Sequence, residues 1–138
     1  MERALKIDEK SYGMEHHRVA IGLNNLAMLL QDTNRLKEAE PLLERALKID
    51  EKSYGMDHPM VARNLSNLAQ LLQATNRLKE AEPLSRRHVE IFIKFSLSTG
   101  HQHPHLQAAV GNYAILLEAM GWSREQIIDR LRKMGLSV

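Results

Sequence analysis

Apolar side chains recur with a helical period after the dipeptide His58-Pro59. They fall at i, i+4, i+7 and i+8 spacings, which places them on one face of a helix. The apolar positions are Val61, Leu65, Leu68, Ala69, Leu71 and Leu72. A proline at the first helical position loses no hydrogen bond, so Pro59 fits the start of this element. The pattern predicts a helix of about 16 residues that begins at His58-Pro59.

A second helical pattern follows within about four residues. The segment 74–77 reads as a tight turn, and a new apolar stripe begins at about Leu78. Its apolar members are Ala81, Leu84, Val89, Ile91 and Phe92. Gly55 ends the equivalent helix of the preceding unit, where a C-terminal glycine is favoured. The two patterns together predict a helix-turn-helix hairpin.

The hairpin is repeated along the chain. Residues 2–14 recur letter for letter at 44–56, and roughly 33 of the 42 positions match between 2–43 and 44–85. In a third, diverged copy His103-Pro104 aligns with His58-Pro59, and 110–117 aligns with 65–72. Tandem units that cannot bury their own apolar faces stack into a solenoid. We therefore expect an all-α fold, a right-handed superhelix of antiparallel helix-turn-helix repeats.

The 138 residues divide into one domain of four units. The expected units are a partial repeat at 1–14 (second helix only), repeats at 16–56 and 58–99, and a diverged C-terminal repeat or cap at 103–136. Ser123 and Gln126 form a capping-box pattern at the last helix. Because the chain starts within a repeat, Leu5 and Ile7 are expected to be exposed there. This predicts self-association, giving a homo-oligomer, through the open N-terminal end.

Charge and composition narrow the classes of partner. The 19 basic and 17 acidic residues leave a net charge of +2, too balanced to favour nucleic acid or an anionic membrane. Without cysteine there is no disulfide or thiolate chemistry. No signal-peptide pattern is present at the N-terminus, and no apolar run reaches the ~20 residues of a membrane span. We predict a cytoplasmic protein.

Residues 23–50 resemble a tetratricopeptide repeat. The large and small consensus positions are occupied by Leu23, Leu26, Ala27, Leu30, Ala39, Leu43 and Ala46. The 42-residue unit and its phrasing (GxDHPxVA, LxNLA, EAEPLxxRAL) resemble the kinesin-light-chain-like subclass. The resemblance implies a protein-binding adaptor or scaffold without a cofactor and without enzymatic activity.

The same resemblance implies that first helices line a concave groove and second helices form a convex back. The groove positions it indicates are Asn24, Asn25, Met28, Gln31, Asp32, Arg63, Ser66, Asn67, Gln70, Gln73, Gly111, Asn112, Ile115 and Glu118. Asn25, Asn67 and Asn112 share one repeated position, where an amide can pair with both the N–H and the C=O of a bound peptide backbone. Alternatively, these amides bond to the neighbouring helix or turn and only hold the stack together.

Other candidate chemistry is sparse. His101, His103 and His105 lie in one loop, and imidazoles suit transition metals. Pro104 restricts that loop and it holds no carboxylate, so we expect a helix-start loop and no metal site. The basic stretch 86–88 replaces Glu44-Arg45-Ala46 of the previous copy, and we expect it on the convex side, either solvated or contacting an acidic partner. No nucleotide-binding or nucleophile motif is present.

Three functions remain open at this point. The first is an adaptor whose groove binds a partner peptide or helix. The second is a scaffold that assembles end to end with other copies of itself. The third is a sensor segment of a larger regulatory protein.

Overall fold

The computed structural model describes residues 17–138, and this part of the chain consists of helices joined by short turns. The helices are α1 (His17–Asp32), α2 (Leu36–Tyr54), α3 (Pro59–Ala74), α4 (Leu78–Thr99), α5 (Leu106–Ala119) and α6 (Arg124–Lys133). Each helix packs against the next one in the chain. The expected all-α repeat solenoid is confirmed. The helix starts expected at Pro59 and Leu78 are confirmed as well.

The turn inside each of the first two hairpins depends on an asparagine. Asn34 and Asn76 adopt left-handed φ values of 61° and 58°. Asparagine tolerates this conformation better than other residues with a side chain. The next residue of each turn, Arg35 or Arg77, then donates its N–H to the C=O of Leu30 or Leu72. The chain thereby reverses in three residues, so the two helices of each hairpin lie antiparallel.

Aliphatic side chains fill the interior of the stack. Leu43 of α2, Leu65 of α3 and Leu116 of α5 are fully buried and belong to one cluster that continues to α6. A smaller cluster joins Val19, Ala20 and Leu23 of α1 to Ala46 and Ile49 of α2. Truncation of such leucines to alanine typically costs about 2–5 kcal/mol. The small residues Ala62 and Ala81, also fully buried, let neighbouring helices approach closely.

Polar contacts fasten successive repeats on the side of the second helices. Arg77 bonds to Glu40 of the preceding repeat, Arg87 lies 2.8 Å from Glu51, and Lys94 lies 3.0 Å from Asp57. At the C-terminal end the hydroxyl of Tyr113 lies 2.6 Å from Glu82 of α4 and 2.9 Å from Arg130 of α6. These contacts join α4, α5 and α6. The Ser123–Gln126 capping box at the start of α6 is confirmed.

The partial repeat expected at 1–14, with Leu5 and Ile7, lies outside the described residues. Self-association through that end therefore stays a prediction. Within residues 17–138 no helix is both long enough and apolar enough to cross a membrane.

Candidate functional site: a groove between α3 and α5

Two adjoining cavities lie between α3 and α5, above α4. Their volumes are about 250 Å³ and about 470 Å³. Ser66 of α3, His88 of α4 and Asn112 of α5 line both of them. We call the two together the α3–α5 groove, with α3 and α5 as its walls and α4 as its floor. The groove exists because the first helices of two repeats stand side by side on one second helix.

Seven of the residues indicated by the sequence line this groove. They are Arg63, Ser66, Asn67, Gln70, Gln73, Asn112 and Ile115. Ile115 is 64% exposed, so a large apolar side chain faces solvent at the smaller cavity. Four others, Asn25, Met28, Gln31 and Glu118, are exposed or half-buried and lie outside the two cavities. Asp32 of α1 and Gly111 of α5 are exposed as well.

Asn24 is a correction to the expected site. It is only 3% exposed, and its Nδ2 donates to Oδ1 of Asn64 at 2.6 Å. A ligand cannot reach this amide, because the neighbouring helix α3 covers it. Position 24 faces the next repeat and not the groove.

Asn24 belongs to a chain of buried polar contacts between the first two repeats. Asn64 Nδ2 donates to Asp50 Oδ2 at 2.6 Å, and the other carboxylate oxygen of Asp50 lies 2.8 Å from His17 Nδ1. Asn64 and Asp50 are each 1% exposed. At the groove end, Asn67 Nδ2 donates to Asn24 Oδ1 at 3.2 Å. We call His17, Asn24, Asp50, Asn64 and Asn67 the junction network.

The three asparagines of the repeated position thus differ in their surroundings. Asn67 is half-buried and donates one N–H to the junction network, which orients its amide. Asn112 is exposed and lines both cavities, whereas Asn25 is exposed outside them. The contact of Asn67 with the neighbouring helix fits the stack-holding interpretation at that position. Its Oδ1 and second N–H are not used by that bond.

Four aromatic residues of the groove were missed by the sequence reasoning. His88 and Phe92 of α4, together with His103 and His105 of the loop before α5, line the larger cavity. The ring centroids of Phe92 and His103 are 4.2 Å apart, and those of His88 and Phe92 are 5.0 Å apart. The available signal was the break in the repeat, since His88 stands where the previous copy has the small, buried Ala46.

The basic stretch 86–88 is also corrected. His88 faces the groove, not the convex side. Arg87 pairs with Glu51, and Arg86 lies 3.9 Å from Glu82. Both arginines therefore have carboxylate partners within the chain.

Burial and charge give the groove a defined electrostatic character. Burial, with a smaller contribution from His105, lowers the pKa of His88 to about 4, and the same two causes lower the pKa of His103. Both imidazoles are therefore neutral near pH 7. Arg63 is the permanent cation among the described lining residues, and these include no carboxylate. Within residues 17–138 no group of three or more His, Asp or Glu is arranged to hold a metal ion.

Comparisons with known proteins agree with this architecture. The sequence profile of the tetratricopeptide repeat family matches residues 1–52 and 18–94. A kinesin-light-chain-type protein of Podosopora anserina, with nearly identical TPR-like repeats, has a crystal structure that superposes with a TM-score of 0.80 at 27% identity. BtubC (BKLC) from P. vanneervenii superposes with a TM-score of 0.80 at 26% identity. Each superposition covers 96% of this chain, which spans 61% and 53% of those two chains. No curated protein matches the sequence.

Proposed function

The chain belongs to the tetratricopeptide repeat family, and we propose from this premise that the α3–α5 groove binds an extended segment of a partner protein. Tetratricopeptide repeats are in general protein–protein interaction modules. The observation that supports this groove is the pair of adjoining cavities bordered by the amides of Asn67 and Asn112. An amide offers donors and an acceptor, so it can pair with a peptide backbone whatever the peptide sequence.

The larger cavity supports an anchoring role for one side chain of the partner. Its volume of about 470 Å³ exceeds what a single large side chain needs, and Phe92 and Met60 give it an apolar lining. Binding energy in such interfaces concentrates in a few buried anchors. The groove therefore suits a segment with one bulky apolar residue and free backbone on either side.

The charge of the lining supports a preference among segments. With Arg63 present and no carboxylate among the lining residues, a lysine or arginine of the partner would lose water without gaining an ionic partner. We expect the groove to select against cationic segments. Neutral imidazoles at His88 and His103 leave the cavity itself suited to apolar groups at neutral pH.

Selection from a random peptide library tests the proposal. Peptides selected on the full chain are titrated by calorimetry against wild type and Asn112→Ala, with Asn25→Ala as the matched control. Both asparagines are exposed and occupy the same repeat position, but only Asn112 lines the cavities. We expect Asn112→Ala to weaken binding about tenfold or more, and Asn25→Ala to leave it unchanged. Equal affinities for all three proteins would place the binding surface elsewhere.

A further inference from the structure

Residues 19–42 closely match residues 61–84, but the second helices differ at most positions from Ser85 onward, and the two junctions between described repeats are built differently. The junction network fastens the first repeat (α1, α2) to α3 through Asn24, Asp50 and Asn64. At the next junction the equivalent positions hold Ser66, Phe92 and Ala109. Phe92 and Ala109 are buried in the apolar cluster. At these positions the first junction is hydrogen-bonded between helices, whereas the second packs the apolar side chains of Phe92 and Ala109.

We infer that each junction accepts only its own first helix and rejects the first helix of the other junction. The first repeat accepts a following helix with asparagine at the position of Asn64. The second repeat accepts a following helix with alanine there. The rejected partner is a first helix from a second copy of this chain that packs on the wrong repeat. This is α5 on the first repeat, or α3 on the second. This selectivity keeps the similar repeats from pairing out of order between copies.

The physical reason is the cost of a buried polar group without its partner. If α5 packed on the first repeat, Ala109 would face Asp50 and Asn24, and a carboxylate oxygen and an amide N–H would be buried unpaired. If α3 packed on the second repeat, the Asn64 amide would lie against Phe92 in place of its acceptor Asp50. Each matched junction satisfies its own groups, while each mismatch leaves some unsatisfied. Two positions of the junction network also differ between the repeats. Asn24 corresponds to Ser66 in the second repeat, and Asn64 corresponds to Gly22 in the first repeat.

A thermodynamic cycle within one chain reproduces both mismatches. One half of the cycle is Asn64→Ala, which places alanine against Asp50. The other half is the pair Asn24→Ser and Asp50→Phe, which places phenylalanine against Asn64. The triple variant combines both halves and copies the second junction. Guanidinium titrations monitored by circular dichroism give the folded-to-unfolded ratio of each protein.

We expect each half to lower the folded-to-unfolded ratio about thirtyfold or more. The triple variant should recover to within about tenfold of wild type, because its junction is matched again. If the folded-to-unfolded ratio of the triple variant falls by the product of the two separate losses, the inference is overturned. If the triple variant lacks the helicity of wild type, the mirror cycle at the second junction decides in the same way. Its halves are Ala109→Asn and the pair Ser66→Asn and Phe92→Asp.

Refolding at high protein concentration tests whether the junctions prevent wrong pairing between copies of the chain. With both junctions alike, the triple variant should yield about tenfold more mass in species above the wild-type size, measured by light scattering after chromatography. The control is the pair Met28→Gln and Asp32→Ala, which makes the two repeats more alike at exposed positions and leaves the junction network intact. The control should refold like wild type. A triple variant with the same size distribution as wild type would contradict the inference.

Discussion

Replacing Tyr113 with phenylalanine removes a single oxygen from a contact that joins three helices. The Tyr113 side chain is fully buried, and its hydroxyl donates to Glu82 Oε2 at 2.6 Å and accepts from Arg130 at 2.9 Å. Hydrogen bonds to charged groups contribute about 1.5–3 kcal/mol each. Glu82 keeps Arg130 at 3.4 Å and Arg86 at 3.9 Å, so its carboxylate is not left without a partner. We therefore expect the free energy of unfolding to fall by about 2 kcal/mol.

The pH dependence of this loss follows from the ionisation of Tyr113. Burial, followed by the hydrogen bond to Glu82, raises the pKa of Tyr113 from 10.0 to about 12. Between these two values the folded state retains a proton that the unfolded state has released, so stability falls as pH rises. The stabilisation by the hydroxyl is complete below pH 10 and is lost towards pH 12. Phenylalanine does not titrate, so the difference between wild type and variant should shrink over this range.

Guanidinium unfolding at about pH 8 and at steps between pH 10 and 12 measures both effects. The matched control is Tyr54→Phe, because Tyr54 is exposed and the chemical change is the same. The control should stay within about 0.5 kcal/mol of wild type. The reasoning is refuted if Tyr113→Phe also stays within that margin at pH 8. It is equally refuted if the difference between wild type and variant does not change above pH 10.

Three further predictions concern the groove floor, a turn and a cap. Because the pKa of His88 is lowered to about 4 from 6.5, the unfolded state binds a proton in this window that the folded state does not, and stability falls as pH falls from 6.5 to 4. Water near the half-buried ring reduces this loss to about 1–2 kcal/mol. His88→Ala should flatten that part of the stability–pH curve, and an unchanged slope would contradict the assignment. At Asn34, with φ at 61°, replacement by glycine should be close to neutral and replacement by alanine should cost about 1 kcal/mol in denaturant unfolding. Ser123→Ala should cost about 1 kcal/mol through loss of the capping box, and a larger effect on α5 than on α6 in hydrogen exchange would argue against a local cap.

The helical period and the repeat were sufficient to predict the local structure. Apolar spacing indicated the helices that begin at Pro59 and Leu78, and the recurring turn sequence marked the reversal between them. The serine and glutamine of the last helix predicted its capping box. These features depend on contacts within a few residues, so the order of residues along the chain contains the necessary information.

The residues that line the α3–α5 groove were only partly predictable from the sequence. Seven of the residues that the family resemblance indicated line the α3–α5 groove. The resemblance misplaced Asn24, whose counterpart Gly111 is exposed, because the two positions have different helices beside them. It also missed His88, since a residue on a second helix was expected to face away from the groove.

The sequence by itself determined which side chains share a helix face, where the helices at Pro59 and Leu78 begin, and that the units stack. The tertiary structure decided what covers each face. Asp50 and Asn64 are 14 residues apart and Asn24 and Asn64 are 40 apart, so their network forms only when two repeats meet. Periodicity specifies a direction around one helix axis, whereas burial and pairing depend on the distance and rotation between two helices. That second relation is set by the packing of the whole stack.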